Sequence, residues 1–135
     1  VFLDNDYTKE EMKMVWETQK ILGDESIRVN ATAVRVPVFY GHGEAIHIET
    51  RTPIDAQDAK ALLANAPGVV LKAEASEFPT QVGDASGKDE VFVGRVRNDI
   101  SHPNGLNMWV VSDNVRKGAA TNSIQIAEVL IRDYM

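Results

Sequence analysis

The stretch EVFVGRVRNDISHPNGLNMWVVSD, residues 90–113, indicates the fold class because it contains two apolar segments separated by a turn. EVFVGRVRND (90–99) and GLNMWVVSD (105–113) are rich in the β-branched and aromatic residues that favour strands. The intervening SHPNG has the proline, asparagine and glycine that are typical of a turn. We therefore expect these two segments to form neighbouring parts of a sheet.

The rest of the chain adds both strands and helices around this stretch. Strand composition or alternation predicts strands at 27–39, 45–51 and 69–73. Helical spacing of apolar residues, with suitable ends, predicts helices at 8–22, 56–66 and 115–134. The segment 76–89 has no clear period and is expected to be a loop. This order predicts an α+β fold, with a mixed, largely antiparallel sheet and helices packed mainly on one face.

Length and composition narrow the class of protein. A chain of 135 residues without an evident linker is the size of one domain, so we expect a single domain over 1–135. Its net charge of −6 and its lack of a basic block exclude nucleic acid and anionic membranes as expected partners. There is no cysteine, and no histidine group has metal-ligand spacing, so we expect no metal site. The start of the chain resembles no signal peptide and lacks an initiator methionine, so we expect a cytoplasmic protein and a piece of a longer polypeptide.

One histidine stands out because it lies between two glycines, Gly41-His42-Gly43. The segments on either side, 34–39 and 45–51, are expected to be strands, so this tripeptide is expected to form the turn between them. A solvated imidazole at the tip of a hairpin and a general base directed into a cleft both fit this pattern. The seventeen residues from 34 to 50 favour the first interpretation.

Charged residues on the first helix and the first strand are further candidates. Glu10, Lys13 and Glu17 recur three and four residues apart and so share one helix face. Taken alone, this pattern is typical of solvated ion pairs. Arg35 lies between Val34 and Val36, so its guanidinium is expected either to face water or to be held by a carboxylate.

Three blocks, taken in order, resemble one family. They are DNDYTKEEMKMVWETQKIL (4–22), VRVPVFYGHGEAIHIET (34–50) and NGLNMWVVSDNVRKGAATNSIQIAEVL (104–130). Together they resemble the C-terminal part of bacterial aspartate-semialdehyde dehydrogenases. The resemblance implies a catalytic and dimerisation domain like the C-terminal domain of glyceraldehyde-3-phosphate-dehydrogenase-type enzymes. It also implies a homodimer or a higher homo-oligomer.

The resemblance implies an activity for the complete enzyme. In this family NADP(H) is used to interconvert L-4-aspartyl phosphate and L-aspartate 4-semialdehyde plus phosphate, in the biosynthesis of lysine, methionine, threonine and diaminopimelate. The family's N-terminal domain binds NADP and carries the nucleophilic cysteine, and this chain contains neither. We therefore expect the chain to be inactive alone and to expose an apolar stripe on its last helix, through which, or through its sheet, it self-associates.

The resemblance also assigns roles to individual residues. His42 matches the histidine that activates the cysteine and relays protons, and Arg35 matches the residue that binds the substrate α-carboxylate. Glu10 matches the acid that meets the substrate ammonium, and Lys13 matches the lysine that helps hold phosphate. Asn114 matches an amide residue that contacts the nicotinamide end of the cofactor.

Two other functions stay open. The first is a related acyl-phosphate reductase that acts on a different acid. An acylated amine could not pair with Glu10, so Glu10 and Arg35 together favour a free amino acid. The second is a dimerisation or ligand-binding module without chemistry, which the missing nucleophile would fit.

Overall fold

The chain divides into two compact units, Val1–Pro37 and Val38–Met135, in a computed structural model that describes all residues from 1 to 135. The first unit contains helix α1 (Lys9–Leu22) and, after it, a segment without helix or strand. The second contains a four-stranded sheet and the remaining helices. The expectation of a single domain over 1–135 stays a prediction.

The sheet of the second unit consists of β1 (His42–Glu49), β2 (Val69–Lys72), β3 (Val91–Asn98) and β4 (Gly105–Ser112). The strands lie in the order β1-β4-β3-β2. β4 pairs antiparallel with both β1 and β3, and β2 pairs parallel with β3. The predicted α+β class with a mixed, largely antiparallel sheet is therefore confirmed.

The three predicted helices are present, with α2 at Ala56–Ala64 and α3 at Thr121–Tyr134. α1 begins at a capping box, in which the Thr8 hydroxyl accepts from the Glu11 N–H at 3.2 Å. It ends at Gly23, whose φ of 65° is the left-handed conformation that glycine adopts without strain. A π-helical turn, Arg116–Ala120, precedes α3 and accounts for the earlier predicted start of that helix.

Different elements cover the two faces of the sheet. On one face, Ala59 of α2 packs against the buried Val93 and Leu106. On the other face, Ala85 is completely buried against Phe92 and Val111. The segment that carries Ala85 contains a π-helical turn, Gln81–Ala85, so the expectation of an irregular loop over 76–89 is corrected for these residues.

The predicted strand over 27–39 is wrong. This segment belongs to no helix or strand, and side chains of the first unit bind part of its backbone. The Glu11 carboxylate accepts from the Ala33 N–H at 2.9 Å, and the Gln19 amide donates to the Ile27 carbonyl at 2.9 Å. β-branched composition thus predicted a strand that the structure does not form here.

The position of His42 is also corrected. β1 begins at His42, three residues earlier than predicted, so the histidine is the first residue of an edge strand and not the tip of a hairpin. The bend falls at Gly41, whose φ is 82°. β1 is exposed along most of its length, including Ile48, because α2 packs against β2 and β3 at the other edge.

None of the helices combines the length and the apolar character needed to cross a membrane.

Candidate functional site

His42 lies exposed where the chain enters β1. Its backbone is opposite Ser112, the last residue of β4. The other histidine of this strand, His47, lies 3.6 Å from an Asp99 carboxylate oxygen and 3.5 Å from a Glu49 oxygen. His47 is thus placed to form ion pairs, whereas His42 forms none within the chain and is free to act on another molecule.

Asn114 fixes the backbone that leads into His42. Its side-chain oxygen accepts a hydrogen bond from the Gly41 N–H at 3.1 Å, although the two residues are 73 positions apart. This bond uses the oxygen of the amide and leaves its NH₂ group, which can donate two hydrogen bonds, for another partner. Two of the predicted site residues are therefore connected, because Asn114 is hydrogen-bonded to Gly41, the residue that precedes His42.

The turn that carries Asn114 is held by the preceding residue, Asp113. This buried carboxylate accepts from the Gly87 N–H at 2.8 Å, the Val115 N–H at 2.9 Å and the Arg116 N–H at 3.0 Å. These backbone donors, with that of Gly87 first, lower the pKa of Asp113, because they stabilise its charged form. Asp113 thus joins the segment around residue 87 to the turn after β4.

A second acid, Asp89, secures the same region. Both of its oxygens accept from the Arg116 guanidinium, at 2.7 and 2.9 Å, and the Thr121 hydroxyl donates to it at 2.8 Å. These bonds, with the Arg116 contribution largest, lower the pKa of Asp89 to about 2. A bidentate pair of this kind fixes orientation as well as charge.

The backbone on the other side of His42 is closely packed. A Cβ atom built on Gly43 would lie 2.5 Å from the Gln81 amide nitrogen and 2.7 Å from ring carbons of Trp109. The Trp109 ring is held in turn, since its Nε1–H donates to the Pro79 carbonyl at 2.8 Å. Glycine at position 43 is therefore required by side chains of the chain itself.

Glu10 and Lys13 are brought together on α1. The Lys13 ammonium lies 3.7 Å from a Glu10 carboxylate oxygen, and both side chains are exposed. The distance agrees with the face shared by residues three positions apart. Both charges remain accessible to a ligand that carries an amine and an anion.

Arg35 belongs to the segment after α1 in the same unit and is exposed. Two residues earlier, the Ala33 N–H is bound by Glu11, which places this segment beside the first turn of α1. Hydrogen bonds from Thr8 and from the Ala33 backbone lower the pKa of Glu11. Arg35 is thus carried by a segment held next to the helix that bears Glu10 and Lys13.

Sequence reasoning missed the residues that support the candidate site. The spacing of Thr8 and Glu11 predicts a capping box, but nothing in it shows that the second oxygen of Glu11 binds Ala33. Asp113, Gln81 and Trp109 act through contacts between distant segments, for which a single sequence contains no local signal. No group of three or more histidine, aspartate or glutamate side chains is arranged to hold a metal ion.

The second unit has an exposed histidine at the start of an edge strand, and the first unit carries Glu10, Lys13 and Arg35. Residues 1–117 match the family described as semialdehyde dehydrogenase, dimerisation domain. The chain belongs to this family.

Comparisons with individual proteins agree with that assignment. The chain is 68% identical, over 133 residues, to the aspartate-semialdehyde dehydrogenase of Shewanella violacea; the match covers 98% of the chain and 39% of that protein. It superposes with a TM-score of 0.96 on Vibrio cholerae aspartate semialdehyde dehydrogenase II complexed with ASA, at 67% identity, covering 100% of this chain and 40% of that one. The Candida albicans enzyme with NADP is more distant, with a TM-score of 0.61 and 28% identity over 93% of this chain and 43% of that one.

The chain thus spans about two fifths of the length of these relatives.

Proposed function

We propose that this chain supplies the base and the substrate-binding residues of an NADP-dependent aspartate-semialdehyde dehydrogenase. The observation that carries the proposal is the exposed His42, whose backbone is fixed through Gly41 by Asn114 and which has no carboxylate partner. Membership of the semialdehyde dehydrogenase family supports the reaction class, and the named relatives support the substrate. In the direction of synthesis, L-4-aspartyl phosphate, NADPH and a proton give L-aspartate 4-semialdehyde, NADP⁺ and phosphate.

The role of His42 in this reaction is proton transfer. The nucleophile would be a cysteine thiol from another part of the enzyme, whose sulfur attacks the acyl carbon as the bond to phosphate breaks. The His42 imidazole would accept the thiol proton, since the thiolate is the reactive form. It would later give a proton to the oxygen of the reduced carbon and take that proton back as the carbon–sulfur bond breaks and the aldehyde leaves. Histidine is suited to these steps because its charge changes near neutral pH.

The charges of the first unit fit the remaining groups of the substrate. The Arg35 guanidinium would bind the α-carboxylate, because its planar donors match the two oxygens. Glu10 would pair with the substrate ammonium, and Lys13 would bind the phosphate. The exposed Glu10–Lys13 pair would open so that each side chain meets a ligand group of opposite charge.

This chain's residues fit the cofactor at one position. The Asn114 NH₂ group is free for the nicotinamide carboxamide, because its oxygen is already used by Gly41. NADPH, when bound, supplies the hydride that reduces the acyl carbon. Most of its binding surface would belong to another domain, and the relative from Candida albicans, named with NADP, supports this cofactor.

The same family membership supports a homodimer or a higher homo-oligomer as the working form, because the family is described as a dimerisation domain.

The test is the phosphate-dependent reduction of NADP by aspartate semialdehyde, measured with the full-length polypeptide that contains this chain. We expect His42→Ala to lower kcat by a factor of about 10² to 10⁴, the usual contribution of a positioned acid–base group. His47→Ala is the matched control, since it removes an imidazole from the same strand. A His42→Ala enzyme that keeps kcat within a fewfold of the unsubstituted enzyme would overturn the proposal.

A further inference from the structure

The side chain of Gln81 lies against the backbone on both sides of His42. A Cβ atom on Gly41 would lie 3.1 Å from the Gln81 Cβ, and one on Gly43 would lie 2.5 Å from its amide nitrogen. The aliphatic part of Gln81 therefore contacts the residue before the histidine, and its amide contacts the residue after it. Gln81 is among the nearest neighbours of both glycines.

The position of Gln81 is fixed by the π-helical turn that begins with it. The Thr80 hydroxyl accepts from the Gly83 N–H at 3.0 Å, and the Asp84 carboxylate accepts from the Thr80 N–H at 2.8 Å. The same carboxylate lies 3.2 Å from the Lys72 ammonium on β2. At its end, Ala85 is completely buried against the sheet. The Pro79 carbonyl, just before the turn, accepts from Trp109 on β4 at 2.8 Å, so the backbone that carries Gln81 is attached to the sheet on both sides.

We infer that Gln81 is a positioning residue for His42, acting through the two glycines and never touching the substrate. The inference rests on the proposed function, in which His42 transfers protons. Asn114 holds Gly41 by a hydrogen bond, and the Gln81 side chain fills the space beside Gly41 and Gly43. A reacting imidazole must be held closely, because misplacement by about 1 Å can cost a hundredfold in rate.

The activity test uses the full-length polypeptide with three substitutions in turn. Gln81→Ala removes the chain beyond Cβ, and we expect kcat to fall about ten- to hundredfold while KM stays within about twofold. Gln81→Met keeps the length and the aliphatic contacts, and we expect it to restore kcat to within about threefold of the unsubstituted enzyme. Val82→Ala is the control, because Val82 is in the same turn but 71% exposed.

The inference is overturned if Gln81→Ala leaves kcat unchanged, or if Val82→Ala lowers kcat equally. It is also overturned if Gln81→Ala lowers the melting temperature and kcat recovers fully on cooling, since that would be a loss of folded protein alone.

A second measurement separates this inference from the proposed function. In the same polypeptides, the NMR signals of the His42 imidazole and of the Gly43 amide are recorded without substrate. We expect Gln81→Ala to shift both signals and Val82→Ala to shift neither. If His42→Ala is fully active, the proposed function fails; if the signals do not move in Gln81→Ala, the positioning role fails, whatever the activity.

Discussion

Gly43, like any glycine, has a hydrogen atom where other amino acids have a Cβ, and the space for that Cβ is already occupied. The Gln81 amide could rotate away, since it is the end of a flexible side chain. The Trp109 ring cannot move as easily, because its N–H is hydrogen-bonded to the Pro79 carbonyl. Even the smallest addition at position 43 must therefore displace either the tryptophan or the strand that begins with His42.

Gly43→Ala is expected to destabilise the chain by about 1–3 kcal/mol, the usual cost of adding a group to a closely packed site. Its Cβ would meet Trp109 ring carbons at 2.7 Å, well inside van der Waals contact. Denaturant unfolding followed by tryptophan fluorescence gives the free energy of unfolding directly.

Gly118→Ala is the control for this prediction. A Cβ at Gly118 would have its nearest neighbour, the Asn114 Cβ, at 3.8 Å, which is an ordinary contact. Because Gly118 is in a helical turn, alanine there is expected to be neutral or stabilising by up to about 1 kcal/mol. Equal effects of the two substitutions would show that the space around Gly43 is not the cause.

At the scale of elements, the turn after β4 is held by charge. Asp113 accepts hydrogen bonds from three backbone N–H groups. Asp89 accepts hydrogen bonds from the Arg116 guanidinium and the Thr121 hydroxyl. Both acids must be ionised to make these bonds at full strength. The stability of this region therefore depends on pH in a direction that the pKa values determine.

Asp89→Asn is expected to lower the melting temperature by a few degrees at pH 7. The pKa of Asp89 is about 2 in the folded chain, below its ordinary value of 3.8, so the stabilisation is complete above about pH 4. The stabilisation is lost as the pH falls from about 4 towards 2, because the Asp89 carboxylate is then protonated in the folded form as well as in the unfolded form. The measurement is thermal unfolding by circular dichroism at pH 7, 4 and 2.

From pH 7 to pH 2, the difference in melting temperature between the unsubstituted chain and Asp89→Asn should shrink to near zero. Glu44→Gln is the control, because Glu44 is exposed on β1. A difference that stays constant from pH 7 to pH 2 would show that the Asp89 charge is not responsible.

Elements with a strong local pattern could be predicted from the sequence. The helix from 9 to 22, with Thr8 and Glu11 at its start, and the strands β3 and β4 follow from capping, periodicity and composition. The segment 27–39 could not be predicted in the same way, because Glu11 and Gln19 bind part of its backbone and no strand pairs with it. In the candidate site, the charged residues could be predicted from their residue type. The contacts of Gln81 and Asp113 could not, because they join distant segments of the chain.

At the scale of the whole molecule, the last helix leaves a large apolar surface uncovered. The predicted stripe on α3 includes Ile124, Ile131 and Tyr134, which are 61%, 64% and 79% exposed. An apolar surface of this kind usually marks an interaction site or leads to association. The dimerisation described for the family is a further reason to expect contact between copies.

The 135-residue chain is expected to self-associate, with a sedimentation coefficient that rises with concentration. The double substitution of Ile124→Glu and Ile131→Glu should shift the equilibrium towards the monomer, because it places two charges in the apolar stripe. Asn122→Glu, on the opposite side of the helix, is the control. A monomer at every concentration would contradict the prediction, and association unchanged by the double substitution would assign it to the sheet.

The hydrogen bond between Gly41 and Asn114 also has a consequence for protein synthesis. The two partners are 73 positions apart in the chain, an interval that takes about 4 to 15 s to translate at roughly 5–20 residues per second. β4, the only strand that pairs with β1, comes just before Asn114 in the chain. On the ribosome, His42 therefore emerges early but acquires its fixed position only after the last strand has left the exit tunnel. A nascent chain that stops before Asn114 carries the histidine without the structure that holds it.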